Sequence, residues 1–151
     1  MVYTDLTRKA MQIAYRAHDG QTDKAGMPYI MHPVHVAEQM NDEDSCVVAL
    51  LHDVVEDTAI TIDNLREAGF TEKQLSAIKA MTHDKSEPYM VYVEKLSKNP
   101  LAVKVKMADL RHNMDRSRII HFTVKDGERM MKYYKALRFL NEISNRNRRT
   151  A

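Results

Sequence analysis

The chain has 151 residues, 44% hydrophobic and 29% charged, with a net charge of +2 at pH 7. That size suits one ordinary domain with a real core, and the interspersed charges of both signs exclude the composition of a nucleic-acid-binding protein. No apolar run reaches the roughly 18 residues of a membrane span and no secretory segment is evident, so no membrane partner and a cytoplasmic location are expected. Cys46 is the only cysteine and cannot form an internal disulfide; its apolar neighbours point to a buried thiol. With only 4 Gly and 4 Pro, turns are few and helices should dominate.

In chain order, Thr4 can cap a helix over 5–18, with Leu6, Ala10, Ile13, Ala14 and Ala17 on one face. Residues 19–27 read as a loop. Pro28 or Pro33 opens a second helix to about Met40. Asp44 or Ser45 caps a third, very apolar helix. Thr61 caps 62–68 and Gly69 closes it; Thr71 starts 72–82. Ser86-Glu87-Pro88 and Asn99-Pro100 are helix starts, leading to about Lys98 and Met114. Asp126 opens a long last helix to about Ser144, with Met130, Tyr133, Tyr134, Leu137 and Leu140 inward. No segment alternates as a strand would. The expected fold is an all-α bundle of about seven to eight helices, one domain over 1–145, followed by a flexible basic tail at 146–151 holding Arg146, Arg148 and Arg149.

The third helix ends in Leu50-Leu51-His52-Asp53-Val54-Val55-Glu56-Asp57. Four ionisable groups thus follow an apolar run within six residues. Burying several carboxylates without partners costs several kcal/mol or more, and a bound cation would remove much of that cost. On a helix His52 and Glu56 lie four apart, as do Asp53 and Asp57. The adjacent His52 and Asp53 can share one metal only if further ligands arrive from elsewhere. His32, held before Pro33 and biased toward an extended backbone, is one candidate. His35 is a weaker one, lying inside the helix. Asp109 is another, with Asn113 and Arg116 on the same helical face.

Together His32, His52-Asp53 and Asp109 make a spaced His, His-Asp, Asp pattern. With Ala17 to Gln21, Gly26 to Pro33, Ala49 to Thr58 and Val105 to Met114, the chain resembles the HD-domain phosphohydrolases. More narrowly, it resembles the hydrolase domain of RelA/SpoT-type proteins and the small alarmone hydrolases. The resemblance implies a mononuclear divalent metal, usually Mn²⁺, on His32, His52, Asp53 and Asp109. It implies that Glu56 and Asp57 position and deprotonate a water. It implies a phosphorylated small-molecule nucleotide as substrate, (p)ppGpp or a related alarmone, cleaved at its 3′-pyrophosphate. The alternatives are an HD hydrolase of another nucleotide, or a nucleotide sensor with a vestigial centre.

The resemblance weakens where the nucleotide would bind. Asp23 stands where the family has an arginine that holds the guanine, while Lys24 remains. After Asn113, Met114-Asp115-Arg116 replaces the usual continuation. Lys24, Asn113, Arg116, Arg129 and Tyr133 are the candidate substrate contacts.

Overall fold

The computed structural model describes residues 1–151. It is all α-helical. The elements are α1 (Asp5–Ala17), α2 (Met31–Glu38), α3 (Glu43–Leu51), the single turn α4 (Val54–Asp57), α5 (Ile62–Glu67), α6 (Glu72–Met81), α7 (Tyr89–Leu96), α8 (Pro100–Asn113) and α9 (Val124–Thr150), with a 3-10 turn at Arg116–Arg118. Leaving α4 aside, eight helices remain, as expected from the sequence. No helix is long and apolar enough to cross a membrane.

Local side chains set the helix starts. Thr4, Thr61, Thr71 and Thr123 each accept from the backbone N–H three residues on, while the residue at that position bonds back to the threonine N–H. Asn99 caps α8, with Pro100 in its first turn. Gly69, after α5, has φ +96°, a left-handed conformation that favours glycine.

Four boundaries differ from the sequence expectation. The cap of α3 is Asp42, extended at φ −139° and ψ 159°, whose carboxylate accepts from Ser45 N. Asp44 is diverted to Lys73 and Gln74. Helix α2 starts at Met31, so neither Pro28 nor Pro33 opens it, and His32 is helical and not extended. Pro33 is tolerated in that first turn because its missing N–H would have had no intrahelical partner. The cap of α9 is Thr123, three residues before the expected opening residue Asp126, which is instead its capping partner. That helix continues to Thr150, and Tyr134 is on its exposed side.

Helix α3 is the centre of the bundle. Every residue from Ser45 to Leu51 is buried, and α1, α2, α6 and α8 pack around it. A helix apolar on all sides must be enclosed, and this one is. Fully burying a Val or Leu side chain stabilises by roughly 1.5–3 kcal/mol each. That investment of apolar surface makes the C-terminal end of α3 a rigid platform. The side chains just beyond it, His52 and Asp53, inherit that rigidity.

Candidate metal centre and active site

The regular helix stops at Leu51 and resumes at Val54. His52 and Asp53 lie in the interruption, with Asp53 at φ −94° and ψ −10°. This break lets two chain neighbours serve one centre. Helix α2 brings His32 from one side and α8 brings Asp109 from another, since both pack against α3. His32 Nε2 lies 2.9 Å from Asp109 Oδ1 and 3.7 Å from Asp53 Oδ2. His52 Nε2 lies 3.0 Å from Asp53 Oδ2 and 3.6 Å from Asp109 Oδ1. The four side chains expected from the sequence therefore converge, and all are largely or fully buried.

Each of the four has a further partner: the imidazoles at Nδ1, and the carboxylates at the oxygen that faces the histidines, with Asp109 also held at its other oxygen. His52 Nδ1–H donates to Ala49 O at 2.7 Å, which leaves Nε2 as the free nitrogen. That Nε2 is buried and has no aligned hydrogen-bond partner despite the carboxylates beside it. Tyr29 donates its hydroxyl to Asp53 Oδ2 at 2.6 Å. Asn113 donates to Asp109 Oδ1 at 2.8 Å, and Lys106 Nζ lies 2.8 Å from Asp109 Oδ2. His32 Nδ1 meets His112 Nδ1 at 2.7 Å. Outer partners of this kind orient ligands and fix their protonation.

The electrostatics follow. Burial opposes charge on Asp109, but Lys106 and the two histidines outweigh it and hold the carboxyl well below its usual range. Burial likewise opposes charge on Asp53, and His52 prevails, leaving it near 2. His52 is pushed up by Asp53 and Asp109 against its own burial. Burial and Asp53 push the Tyr29 phenol up, so it remains a donor. Two imidazole nitrogens and two carboxylates, converging with one buried nitrogen unpartnered, fit a divalent cation. Mixed N and O donors suit a borderline first-row ion.

Glu56 and Asp57 follow on α4, and a carboxylate oxygen of each comes within 4.8 Å of Asp53. Burial, with Asp53 adding to it, raises both carboxyls. Glu56 Oε1 accepts from His83 N at 2.7 Å, which pins it to the loop after α6. Asp53 and Asp57 meet as their spacing suggested. Glu56 does not group with His52, because the helix is broken between them.

A cavity of about 290 Å³ adjoins this centre through Tyr29 and Asn113. Four of the candidate substrate contacts, Lys24, Asn113, Arg129 and Tyr133, line it. Arg116 does not. Its guanidinium lies over the Phe122 ring at 4.3 Å, and Arg118 lines the cavity instead. The 3-10 turn explains the exchange, since Arg118 comes back toward α8 and donates to His112 O at 2.9 Å. Asp23 also lines the cavity, and its carboxylate is already engaged. Oδ1 accepts from Ala25 N and Met27 N, each at 2.9 Å, and Oδ2 lies 3.7 Å from Arg118 Nη2. Lys24 and Arg129 converge on one buried carboxylate, Asp126, at 3.0 and 2.7 Å. A larger groove of about 620 Å³, formed by residues of α7 and α9, contains none of the clustered residues.

Sequence reasoning missed Tyr29, Lys106, His112 and Arg118. Lys106 carried the one available signal, a cation three residues before Asp109 and on its helical face.

Residues 10–98 match the HD domain family. The chain belongs to the HD-domain family. Among curated relatives, this HD-domain chain is 34% identical over 121 residues to the bifunctional (p)ppGpp synthase/hydrolase SpoT of Escherichia coli K12, covering 71% of this chain and 17% of that protein. It is 36% identical over 116 residues to the guanosine-3′,5′-bis(diphosphate) 3′-pyrophosphohydrolase of Haemophilus influenzae, covering 68% and 17%. It is 32% identical over 127 residues to a GTP pyrophosphokinase of Myxococcus xanthus, covering 73% and 17%. The HD-domain chain thus spans about a sixth of the length of these relatives. Its fold is shared with a solved structure described as a metazoan ortholog of SpoT that hydrolyzes ppGpp. The TM-score is 0.76, with 22% identity and coverage of 97% of this chain and 98% of that one.

Proposed function

We propose that this protein is a metal-dependent nucleotide phosphohydrolase that removes the 3′-pyrophosphate from (p)ppGpp or a related alarmone. One observation carries the reading. His32, His52 and Asp109 cluster at the end of one buried helix, Asp53 links them through His52 at 3.0 Å to the acid pair Glu56 and Asp57, and a cavity bearing Lys24, Arg118 and Arg129 adjoins them. In this reading His32, His52, Asp53 and Asp109 hold one divalent ion, and Mn²⁺ is the ion implied by the family resemblance. The chemistry such an ion supplies is a lowered water pKa and stabilised charge at the attacked phosphorus.

The chain's own groups do the rest. Glu56 and Asp57 accept the water proton; burial and the neighbouring Asp53 raise both carboxyls above their ordinary range. They act as one coupled pair, so the role is not divided between them. Water oxygen bonds to the phosphorus next to the ribose, the bond from that phosphorus to the 3′-oxygen breaks, and the 3′-oxygen takes up a proton. The products are inorganic pyrophosphate and a nucleotide with a free 3′-hydroxyl. Lys24, Arg118 and Arg129 supply charge for the phosphates, with Asn113 and Tyr133 as neutral contacts. The relatives named for (p)ppGpp hydrolysis support this substrate class.

The test is a nucleotide panel incubated with Mn²⁺-loaded protein, with products separated by ion exchange. Guanosine 3′,5′-bis(diphosphate) should give GDP and pyrophosphate. Cleavage of nucleoside monophosphates alone would replace the substrate assignment; no cleavage of any nucleotide would replace the activity.

A further inference from the structure

His32 has two ring nitrogens. Nε2 faces Asp109 and Asp53, and Nδ1 faces a second histidine, His112, at 2.7 Å. The His32 and His112 rings are almost parallel, 3° apart in plane, with centroids 4.9 Å apart. On the other side His112 is stacked on His35, with centroids at 3.9 Å and planes 16° apart. Three imidazoles therefore run in file from the metal centre along the α2–α8 contact. His112 also borders a small cavity of about 180 Å³ lined by His35, Gln39, Arg111 and Asp115.

An imidazole that offers Nε2 to a metal must keep its one proton on Nδ1. For His32 the group standing at that nitrogen is His112 Nδ1. Two facing ring nitrogens share one proton, so His112 must then accept, and its own proton lies on Nε2. The packing is built for this. His35 beneath the ring and Arg118 on the His112 carbonyl hold the residue from two directions.

We propose that His112 is a positioning residue for the metal centre, accepting the Nδ1–H of His32 and so fixing the tautomer that presents an unprotonated Nε2 to the ion. The inference rests on the metal reading given above. An imidazole acceptor differs from the usual carboxylate or carbonyl in this position. Being neutral, it orients His32 without adding a further negative charge to a site that already contains Asp53, Asp109, Glu56 and Asp57.

The experiment has two arms. Nitrogen-15 NMR of the histidine rings in Zn²⁺-loaded unmutated protein should show the His32 proton on Nδ1 and the His112 proton on Nε2. Mn²⁺ affinity, measured by competition with a chelating indicator, should weaken about 10–100-fold in His112→Phe, the range typical for loss of such an outer partner. His112→Gln, whose side-chain oxygen can accept the same proton, should recover most of that loss. His112→Phe keeps an aromatic ring over His35, so a loss of affinity there reads the hydrogen bond and not the stacking. Unmutated affinity in His112→Phe, or a His32 ring without a proton on Nδ1, would overturn the inference while leaving the hydrolase reading in place. If His112→Phe does not fold, the NMR pattern of the unmutated protein decides. Unmutated protein that takes up no divalent ion would overturn both readings together.

Discussion

Lys106 Nζ lies 2.8 Å from Asp109 Oδ2, three residues away on α8, and both side chains are shielded from solvent. Burial disfavours the ammonium, yet Asp109 outweighs it and raises Lys106 well above its ordinary value. Lys106 is thus a permanent counter-ion for a carboxylate that also faces the centre. Removing one partner of a buried pair costs about 3–5 kcal/mol, because the other is left uncompensated. A cation bound at Asp109 restores part of that compensation. In Lys106→Met, therefore, added Mn²⁺ should raise the melting temperature by more than it does in the unmutated protein. Calorimetry with and without Mn²⁺ checks this, and equal shifts would show that Lys106 does not balance Asp109.

Glu56 and Asp57 are expected to serve the chemistry more than metal retention. The double variant Glu56→Gln with Asp57→Asn should retain its divalent ion by elemental analysis. Its kcat should fall by about 10²–10⁴-fold, the usual contribution of a general base. Turnover equal to that of the unmutated protein would remove the pair from the mechanism.

The two arginines of the 3-10 turn should separate cleanly. Arg118 lines the cavity, whereas Arg116 lies over Phe122 outside it. A charge-assisted hydrogen bond contributes roughly 1.5–3 kcal/mol. Arg118→Ala should therefore raise KM by about tenfold or more, while Arg116→Ala leaves KM close to its original value. Steady-state kinetics on both variants provide the measurement; the reverse ranking would show that the turn rearranges around substrate.

Most of the bundle and four residues of the centre were legible in the sequence, for physical reasons. Threonine caps, the Asn99-Pro100 start and the apolar run of α3 act locally, so their signals survive without tertiary information. His52 and Asp53 stood out because charge follows that apolar run directly. His32 and Asp109 lie far apart in sequence, and only the resemblance joined them to the pair. The remainder depends on packing. His112 gains its role from α2 lying against α8, and Tyr29 from the loop before α2 reaching Asp53. Arg116 and Arg118 differ by two positions, and nothing short of the turn geometry says which one returns to the cavity. Asp42 rather than Asp44 caps α3 because Lys73 and Gln74, on a distant helix, draw Asp44 away.

Asp42 also gives the fold a measurable acid response. Burial opposes charge on its carboxyl, but Lys104 and the backbone and side chain of Ser45 together outweigh it and lower the carboxyl to about 2. The folded value lies below the unfolded one. Its contribution is therefore present above about pH 4 and is lost as pH falls toward 2. The Lys104–Asp42 pair is about half exposed, so screening by water limits the effect to less than about 1 kcal/mol. Asp42→Asn keeps a helix cap but not the charge. Urea midpoints between pH 5 and 2 should therefore fall less steeply in Asp42→Asn than in the unmutated protein. Parallel curves would show that the pair does not act on stability.

His32, His52, Asp53 and Asp109 are proposed to hold a single divalent ion at the end of α3. Anomalous diffraction from crystals of Mn²⁺-loaded protein would locate that ion. The expected result is one strong peak within coordinating distance of His32 Nε2, His52 Nε2 and carboxylate oxygens of Asp53 and Asp109, with Glu56 and Asp57 beside it. No peak there under saturating Mn²⁺, or a peak held by other side chains, would rule out a metal centre built from these four residues.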